Sequence, residues 1–272
     1  MAYPEFQKQV EIRKSILESL FKAGGGHYGG ALSVVDILLV LYGEILGETA
    51  LSSQDPKRDR VILSKGHSAI ALYAVLDSFG VLGEVDLGRY GKYGSRLEGH
   101  PDMTQTAGID FSSGSLGQGI SAGLGMAFSL RQQDAHVWVV VGDGECQEGQ
   151  TWEAALLAAR YKVSNLHVIV DANGAQELGW AHDATLDQEP MPRMVEKWEA
   201  FGWTVRETDG HDYSGLERTC REMRANGPAP SVIIARTTKG KGVAAAERNP
   251  GRYHCVCLDE TEHRTLVESI YM

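Results

Sequence analysis

The spacing of apolar positions changes along the chain. In the first half it is helical: residues 5–22 predict an amphipathic helix, and residues 33–46 predict a buried helix with an almost continuous apolar face. The glycine-rich stretch AGGGHYGG separates the two. Residues 114–130 predict a glycine-rich turn that opens another helix, whose small side chains permit close packing.

The second half alternates short apolar runs with helical periods. The runs are rich in Val and Ile, which is typical of buried strands. Strands are predicted at 60–64, 136–141, 166–172, 203–210 and 231–237. This alternation predicts an α/β fold with a parallel sheet flanked by helices on both faces. Because no repeat or linker divides the chain, we predict a single domain over residues 1–272, with a short C-terminal extension after about residue 240.

Composition and charge exclude some classes of function for this chain. The 272 residues are 43% hydrophobic, and the formal net charge is −10, which disfavours nucleic-acid binding. The longest apolar run, SVVDILLVLYGEIL, carries two acidic residues and is too short for a bilayer, so no membrane association is expected. The N-terminus lacks the apolar core of a signal peptide. Four cysteines are too few for a disulfide scaffold, and we expect a cytoplasmic location.

Polar residues follow two consecutive predicted strands. Asp143 lies between two glycines directly after the strand at 136–141, and Asn173 follows the strand at 166–172. Their separation of about 30 residues suits one strand–helix–strand crossover. If the strands are neighbours, both side chains meet at the carboxyl edge of the sheet, where ligands bind in such folds. Aspartate, asparagine and phosphate oxygens form a typical magnesium site, so we predict that Asp143 holds a metal that holds a diphosphate.

Several stretches, in order, resemble the N-terminal, diphosphate-binding portion of transketolase. Gly-Asp-Gly followed by asparagine resembles the thiamine diphosphate signature, and the match runs from about residue 10 to about residue 254. The stretches are AGGGHYGGALSVVDILLVLY, RVILSKGHSAIALYAVL, GSRLEGHPDM, SSGSLGQGISAGLGMA, GDGECQEGQTWEAALLAARYKVSNLHVIVDANG, FGWTVRETDGHD and TTKGKGV. The resemblance implies the thiamine-diphosphate-binding fold and transfer of a two-carbon ketol unit from a ketose donor to an aldehyde-type acceptor.

The resemblance also implies the cofactor site. Thiamine diphosphate would be held with Mg²⁺, or Ca²⁺, by Asp143, Asn173 and the backbone carbonyl of Ala175. Gly144 would contact the diphosphate. The residues implied to face the cofactor are Gly114, Leu116 and Gly117.

Four histidines and two glutamates complete the implied site. His67 and His254 would lie near the diphosphate and the substrate, while His27 and His100 would line the substrate channel, bind donor hydroxyls and shuttle protons. The two glutamates resemble buried acids that link cofactor sites across the subunit interface; they are Glu148 and Glu153.

Family members also need a second domain, which binds the aminopyrimidine ring and carries the glutamate that activates the cofactor. No such domain is present in these 272 residues. The chain therefore resembles the N-terminal subunit of a split transketolase, and we expect an α2β2 assembly with a partner chain that carries the pyrimidine-binding and C-terminal parts. Three departures from the family pattern lie at Tyr28, at Ala175 and in RYHCVCLD, and each could lie near the cofactor or the channel.

Three other functions compete with this one. An E1-type 2-oxo acid decarboxylase or dehydrogenase subunit, or two-carbon transfer to a carrier-protein thioester, would use the same cofactor; the histidines favour a ketose, whose hydroxyls need polar partners. A nicotinamide-dependent dehydrogenase is disfavoured because GSLGQG does not follow a convincing strand. A non-catalytic regulatory subunit would have lost Asp143 or Asn173, and both are present.

Overall fold

A sheet of five parallel strands occupies the centre of the molecule. The structure, a computed structural model, describes residues 4–46, 55–176, 191–225 and 227–271. The strands lie in the order β1–β2–β3–β5–β4, each within one residue of its predicted bounds. They are β1 (Arg60–Leu63), β2 (Val137–Gly142), β3 (Leu166–Ala172), β4 (Thr204–Asp209) and β5 (Ser231–Arg236).

Helices cover both faces of this sheet. In chain order they are α1 (Pro4–Ala23), α2 (Tyr28–Ser33), α3 (Val35–Val40), α4 (Ala69–Ser78), α5 (Gln118–Leu130), α6 (Gly149–Arg160), α7 (Met194–Ala200), α8 (Tyr213–Arg224), α9 (Ala244–Arg248) and α10 (Glu260–Glu268). Successive strand residues serve opposite faces: Val140 packs in the core under α1 to α4 and α8, and Val139 and Val141 pack in the core under α5 to α7. The α/β prediction with helices on both faces is confirmed.

The apolar segment after α1 differs from its prediction. Its helical structure begins at Tyr28 rather than at residue 33, breaks at Val34, and ends in a π-helical turn, Leu41–Ile45. The glycines of the first turn do not prevent the helix, because Gly30 packs against the His67 ring and Gly29 against the Lys239 side chain. By length and composition residues 28–45 could cross a membrane, but 83% of this segment is buried inside the fold.

The segment after residue 240 packs back onto the first half of the chain. Leu266 of α10 is fully buried in the core that contains α1. Two isolated β-bridges hold this segment in place. One joins Val256 to Gly26 in the first half of the chain, and the other joins Val243 to Ile270 within the segment. The first of these bridges aligns the loop before α2 with the loop before α10, and it therefore shapes the region where His27 and His254 lie.

Two histidines, His167 fully buried and His136 half-buried, lie at the end of the sheet opposite the strands' carboxyl ends. His167 Nε2 lies 2.7 Å from His136 Nδ1, and His167 Nδ1 lies 2.6 Å from the Ser231 hydroxyl oxygen. The His167 ring also stacks on Trp138. Burial is the main cause that lowers the pKa of both histidines, and in His167 the shift is large. Both side chains are therefore neutral in the folded protein at neutral pH.

We expect His136 and His167 to make the free energy of unfolding depend on pH. The unfolded histidines titrate near 6.5, above the pKa of the folded ones, so stability is complete above that pH and is lost as pH falls through it. Down to the pKa of folded His167, each pH unit below 6.5 costs about 1.4 kcal/mol for that histidine. The free energy of unfolding is measured by denaturant titration between neutral and mildly acidic pH. In His167→Gln it should fall less steeply with decreasing pH than in the wild type. His100→Gln, altered at an exposed site, should keep the wild-type slope; an unchanged slope in His167→Gln would contradict the assignment.

Candidate functional site

A cleft opens at the carboxyl ends of β1, β2 and β3. Its volume is about 360 Å³, within the range of roughly 300–1,000 Å³ that is typical of small-molecule sites. All but two of the residues predicted for the site line it: His27, His67, His100, Gly114, Leu116, Asp143, Gly144, Glu148, Asn173, Ala175 and His254.

The register of β2 and β3 joins the two predicted polar positions. Gly142 pairs with Asp171, so the residues that follow the strands lie side by side. Asp143 binds the next loop directly: its Oδ2 accepts the Gly174 N–H at 2.6 Å, and its Oδ1 accepts the Gly144 N–H at 2.8 Å. Asn173 Oδ1 accepts the Ala175 N–H. The condition on which the meeting of Asp143 and Asn173 depends, that β2 and β3 are neighbours, is fulfilled.

The chemistry of these residues fits a hard divalent cation. Burial, and next the charge of Asp171, raise the pKa of Asp143 to about 6, because a second negative charge is unfavourable there. A bound cation would relieve this. Asp143, Asn173 and the Ala175 carbonyl offer three oxygen ligands, the type that Mg²⁺ and Ca²⁺ prefer. Within the described residues no group of three His, Cys, Asp or Glu side chains converges on a metal site, and this set contains only one such side chain.

A buried ion pair lies below the cleft. Lys65 Nζ is 2.5 Å from Asp171 Oδ2 and also donates to the Gly30 carbonyl. Ser33 and Thr237 donate their hydroxyl hydrogens to the same carboxylate. Burial alone would raise the pKa of Asp171, but the Lys65 charge and these hydrogen bonds hold it below its usual value. Neither Lys65 nor Asp171 is predicted from the sequence, because no sequence pattern pairs an aspartate in a strand with a lysine in a distant loop.

Glu145 ties three backbone segments together beside the cleft. Its Oε1 accepts the Ser64 hydroxyl at 2.5 Å and the Gly117 N–H at 2.8 Å, and its Oε2 accepts the Gly142 N–H at 3.1 Å. Gly117, predicted to face the cofactor, lies outside the cleft lining and serves as a turn with φ of 80°. Glu145 was also missed, since its role depends on contacts with residues far away in sequence.

Three of the four predicted histidines form a cluster. Ring centroids are 5.1 Å apart for His27 and His67, 5.6 Å for His27 and His254, and 6.2 Å for His67 and His254. His100 lies elsewhere in the cleft, exposed and beside Gly114. The chain therefore brings together histidines from the loop before α2, the loop after β1 and the loop before α10.

Two members of the histidine cluster, His67 and His254, are neutral at neutral pH. Burial and nearby lysines lower the pKa of His67 far below its usual value and that of His254 to about 4. Proton transfer was predicted for His27 and His100. Near neutral pH, His67 and His254 are neutral groups that donate or accept hydrogen bonds.

The remaining predicted positions lie at the rim or away from the cleft. Glu148 lines the rim, whereas Glu153 lies one turn along α6, and both are exposed in the single chain. Of the departures from the family pattern, Ala175 and, within RYHCVCLD, His254 line the cleft. Tyr28 is fully buried in the core, where its hydroxyl has no hydrogen-bond partner among the described residues. The two thiols of RYHCVCLD are exposed and outside the cleft lining.

Known proteins that are similar to this chain in sequence or in structure point to one family. Residues 7–270 match the family described as transketolase, thiamine diphosphate binding domain. The chain is 38% identical over 238 residues to the 6-deoxy-6-sulfo-D-fructose transketolase subunit SqwG of a Clostridium species, covering 87% of this chain and 85% of the relative. It is 37% identical over 260 residues to an apulose-4-phosphate transketolase subunit of Actinobacillus succinogenes, covering 94% of this chain and 92% of the relative.

Single-chain transketolases match over a smaller part of their length. Human transketolase is 35% identical over 263 residues, which are 96% of this chain and 41% of the human protein. The solved transketolase of Campylobacter jejuni superposes with a TM-score of 0.81 at 28% identity, covering 98% of this chain and 43% of that one. The chain therefore spans about two fifths of these proteins. It belongs to the transketolase family, whose thiamine diphosphate-binding domain it carries.

Proposed function

We propose that this chain is the thiamine-diphosphate-binding subunit of a two-chain transketolase. It would transfer a two-carbon ketol unit from a ketose donor to an aldehyde-type acceptor. The observation that carries the proposal is the pattern of coverage: relatives named as transketolase subunits are covered over 83–92% of their length, but the human single-chain enzyme over 41%. The two sugar-specific relatives support a sugar as donor.

The chain's own part is to hold the diphosphate end of the cofactor. Asp143, Asn173 and the Ala175 carbonyl would bind Mg²⁺, or Ca²⁺ in its place, and the metal would bind the diphosphate. Gly144 is half-buried at the cleft surface, where a backbone without a side chain permits close approach of a phosphate. When bound, thiamine diphosphate supplies a carbon nucleophile that stores the two-carbon unit between donor and acceptor.

The histidines would recognise the donor sugar. In the cluster of His27, His67 and His254, the imidazoles of His67 and His254 are neutral, and each can donate one hydrogen bond and accept another. A ketose offers hydroxyls that do both, so a neutral cluster suits it better than an imidazolium cluster. His100, exposed in the cleft, would bind the donor from another side.

A second copy of this chain would pack on the exposed face of α6. Leu156 and Leu157 are 58% and 46% exposed at the centre of this face, with Glu153 on one side and Arg160 on the other. If a two-fold axis passed through the centre of this face, the leucines of the two copies would pack against each other. Glu153 of each copy would then lie against Arg160 of the other copy, which gives two such contacts. The face is thus complementary to itself, which supports the two central copies of an α2β2 assembly.

The metal assignment predicts a loss of cofactor binding. Asp143→Asn removes the one carboxylate of the proposed ligand set. Loss of a residue that only orients a metal ligand typically lowers affinity by roughly 10- to 100-fold. Loss of a direct ligand should lower the affinity for thiamine diphosphate, measured in Mg²⁺, by at least as much. Calorimetry on the chain with its partner measures this. Asp77→Asn, at the far end of α4, is the matched control and should bind normally. Wild-type affinity in Asp143→Asn would remove Asp143 from the site.

The two-chain architecture predicts a stoichiometric requirement for a partner. Alone, the chain should bind thiamine diphosphate weakly and transfer no two-carbon unit, because the described residues that line the cleft are those proposed to hold the diphosphate end and the donor sugar. Titration with a chain that resembles the remaining part of transketolase should raise cofactor affinity and ketol transfer together, saturating near one partner per chain. Ketose and pyruvate donors are compared to separate this activity from the E1-type alternative. Sustained ketol transfer by partner-free preparations would refute the proposal.

The α6 face predicts a charge-swap result. Glu153→Arg places like charges together twice across the proposed two-fold axis, so self-association should weaken by about 5- to 30-fold, equivalent to roughly 1–2 kcal/mol for the two contacts. Arg160→Glu should act similarly, and the double variant should recover most of the loss. Sedimentation equilibrium reports the association constants. Independent, additive losses in the double variant would place the contact between copies elsewhere.

A further inference from the structure

One lysine joins the two halves of the cleft. Lys239 follows β5, lines the cleft and is only 4% exposed. Its ammonium group donates to the Ala175 carbonyl at 3.1 Å and lies 2.6 Å from Nδ1 of His254. It therefore contacts a proposed metal ligand on one side and the histidine cluster on the other.

The path of this side chain is tightly confined. A Cβ on Gly29 would lie 2.9 Å from Lys239 Cγ and 3.2 Å from its Cε, so the lysine stem passes directly over that glycine. Gly29 is held in turn by backbone hydrogen bonds to Tyr253 and Gly240. Because the stem has little freedom, the position of the ammonium group is set by the fold rather than chosen from many rotamers.

Hydrogen-bond chemistry then determines the state of His254. An ammonium group has only hydrogens to donate, so the nitrogen facing it must accept, and in a neutral imidazole the proton is then on the other nitrogen. His254 is neutral at neutral pH because burial, followed by the charge of Lys239, lowers its pKa to about 4. The ring consequently offers one donor, Nε2–H.

We propose that Lys239 is a positioning residue that holds His254 in the Nε2–H tautomer and fixes its ring beside His27 and His67. The Ala175 carbonyl oxygen has two lone pairs, so it can accept from Lys239 and still bind a metal. The lysine thus links the metal end of the site to the sugar end. That His254 then donates to a donor sugar rests on the transketolase function proposed above; the tautomer itself does not.

The tautomer can be read by NMR in the full-length chain. With ¹⁵N-labelled histidine, long-range ¹H–¹⁵N correlations at neutral pH should show an unprotonated Nδ1 and a protonated Nε2 for His254, assigned by the loss of its signals in His254→Asn. In Lys239→Met, which removes the donor and keeps the apolar stem, the Nδ1–H form should become populated. Lys241→Met, the same change two residues along, should leave the spectrum of His254 unchanged.

Two results would overturn the proposal: an Nδ1–H tautomer in the wild-type chain, or an unchanged Nε2–H tautomer in folded Lys239→Met. If Lys239→Met does not fold, Gly29→Ala is used instead, because its methyl group must displace the lysine stem, and it should give the same change in tautomer.

Activity provides a separate readout. In the complex with its partner, Lys239→Met should lower kcat for ketol transfer by roughly 10- to 100-fold, as is usual when a residue that orients a site ligand is lost. Lys241→Met should retain wild-type kcat. If the tautomer changes as expected but no wild-type complex transfers a two-carbon unit, the positioning role stands and the transketolase function fails. Wild-type kcat in Lys239→Met would overturn the role of this tautomer in the reaction.

Discussion

The parallel pairing of β2 with β3 is the constraint on which the site depends. Because both strands run in the same direction and Gly142 pairs with Asp171, the loops that follow them open at the same edge. Asp143 then accepts a backbone N–H from Gly174 in the neighbouring loop, so the two loops are fastened together as well as adjacent. A shift of one residue in β3 would turn each of its side chains to the opposite face, and it would separate Asp171 from Lys65 and His167 from Ser231.

Below that edge, buried charges are arranged in compensating pairs. The Lys65 ammonium group neutralises Asp171, and Glu145 accepts three hydrogen bonds from groups around it. Removing one partner of a buried pair typically costs about 3–5 kcal/mol, since the other charge remains uncompensated. Burial raises the pKa of both Glu145 and Asp143, but at Asp143 the negative charge of Asp171 raises it further. Asp143 is the carboxylate in this region whose charge a bound cation would best compensate.

The C-terminal segment supplies the other side of the cleft. Through the bridge between Gly26 and Val256 it brings His254 beside His27, and through Lys239 the loop after β5 reaches both His254 and Ala175. The segment therefore contributes to the site although it lies outside the sheet. The neutral state of His67 and His254 follows from this packing, because burial and the neighbouring lysines both lower their pKa and disfavour imidazolium.

The sequence by itself determined the α/β class, the five strands within a residue of their observed bounds, and the meeting of Asp143 with Asn173. These follow from apolar periodicity and from the geometry of a parallel crossover, which are local or nearly local properties. The motif match also placed the histidines near one another. Only the tertiary structure decided that Lys65 pairs with Asp171, that Glu145 holds Gly117, that Lys239 contacts His254, and that Tyr28 lies in the core. Most of these contacts join residues that are far apart in the chain, and no periodicity encodes which distant partner a side chain will meet.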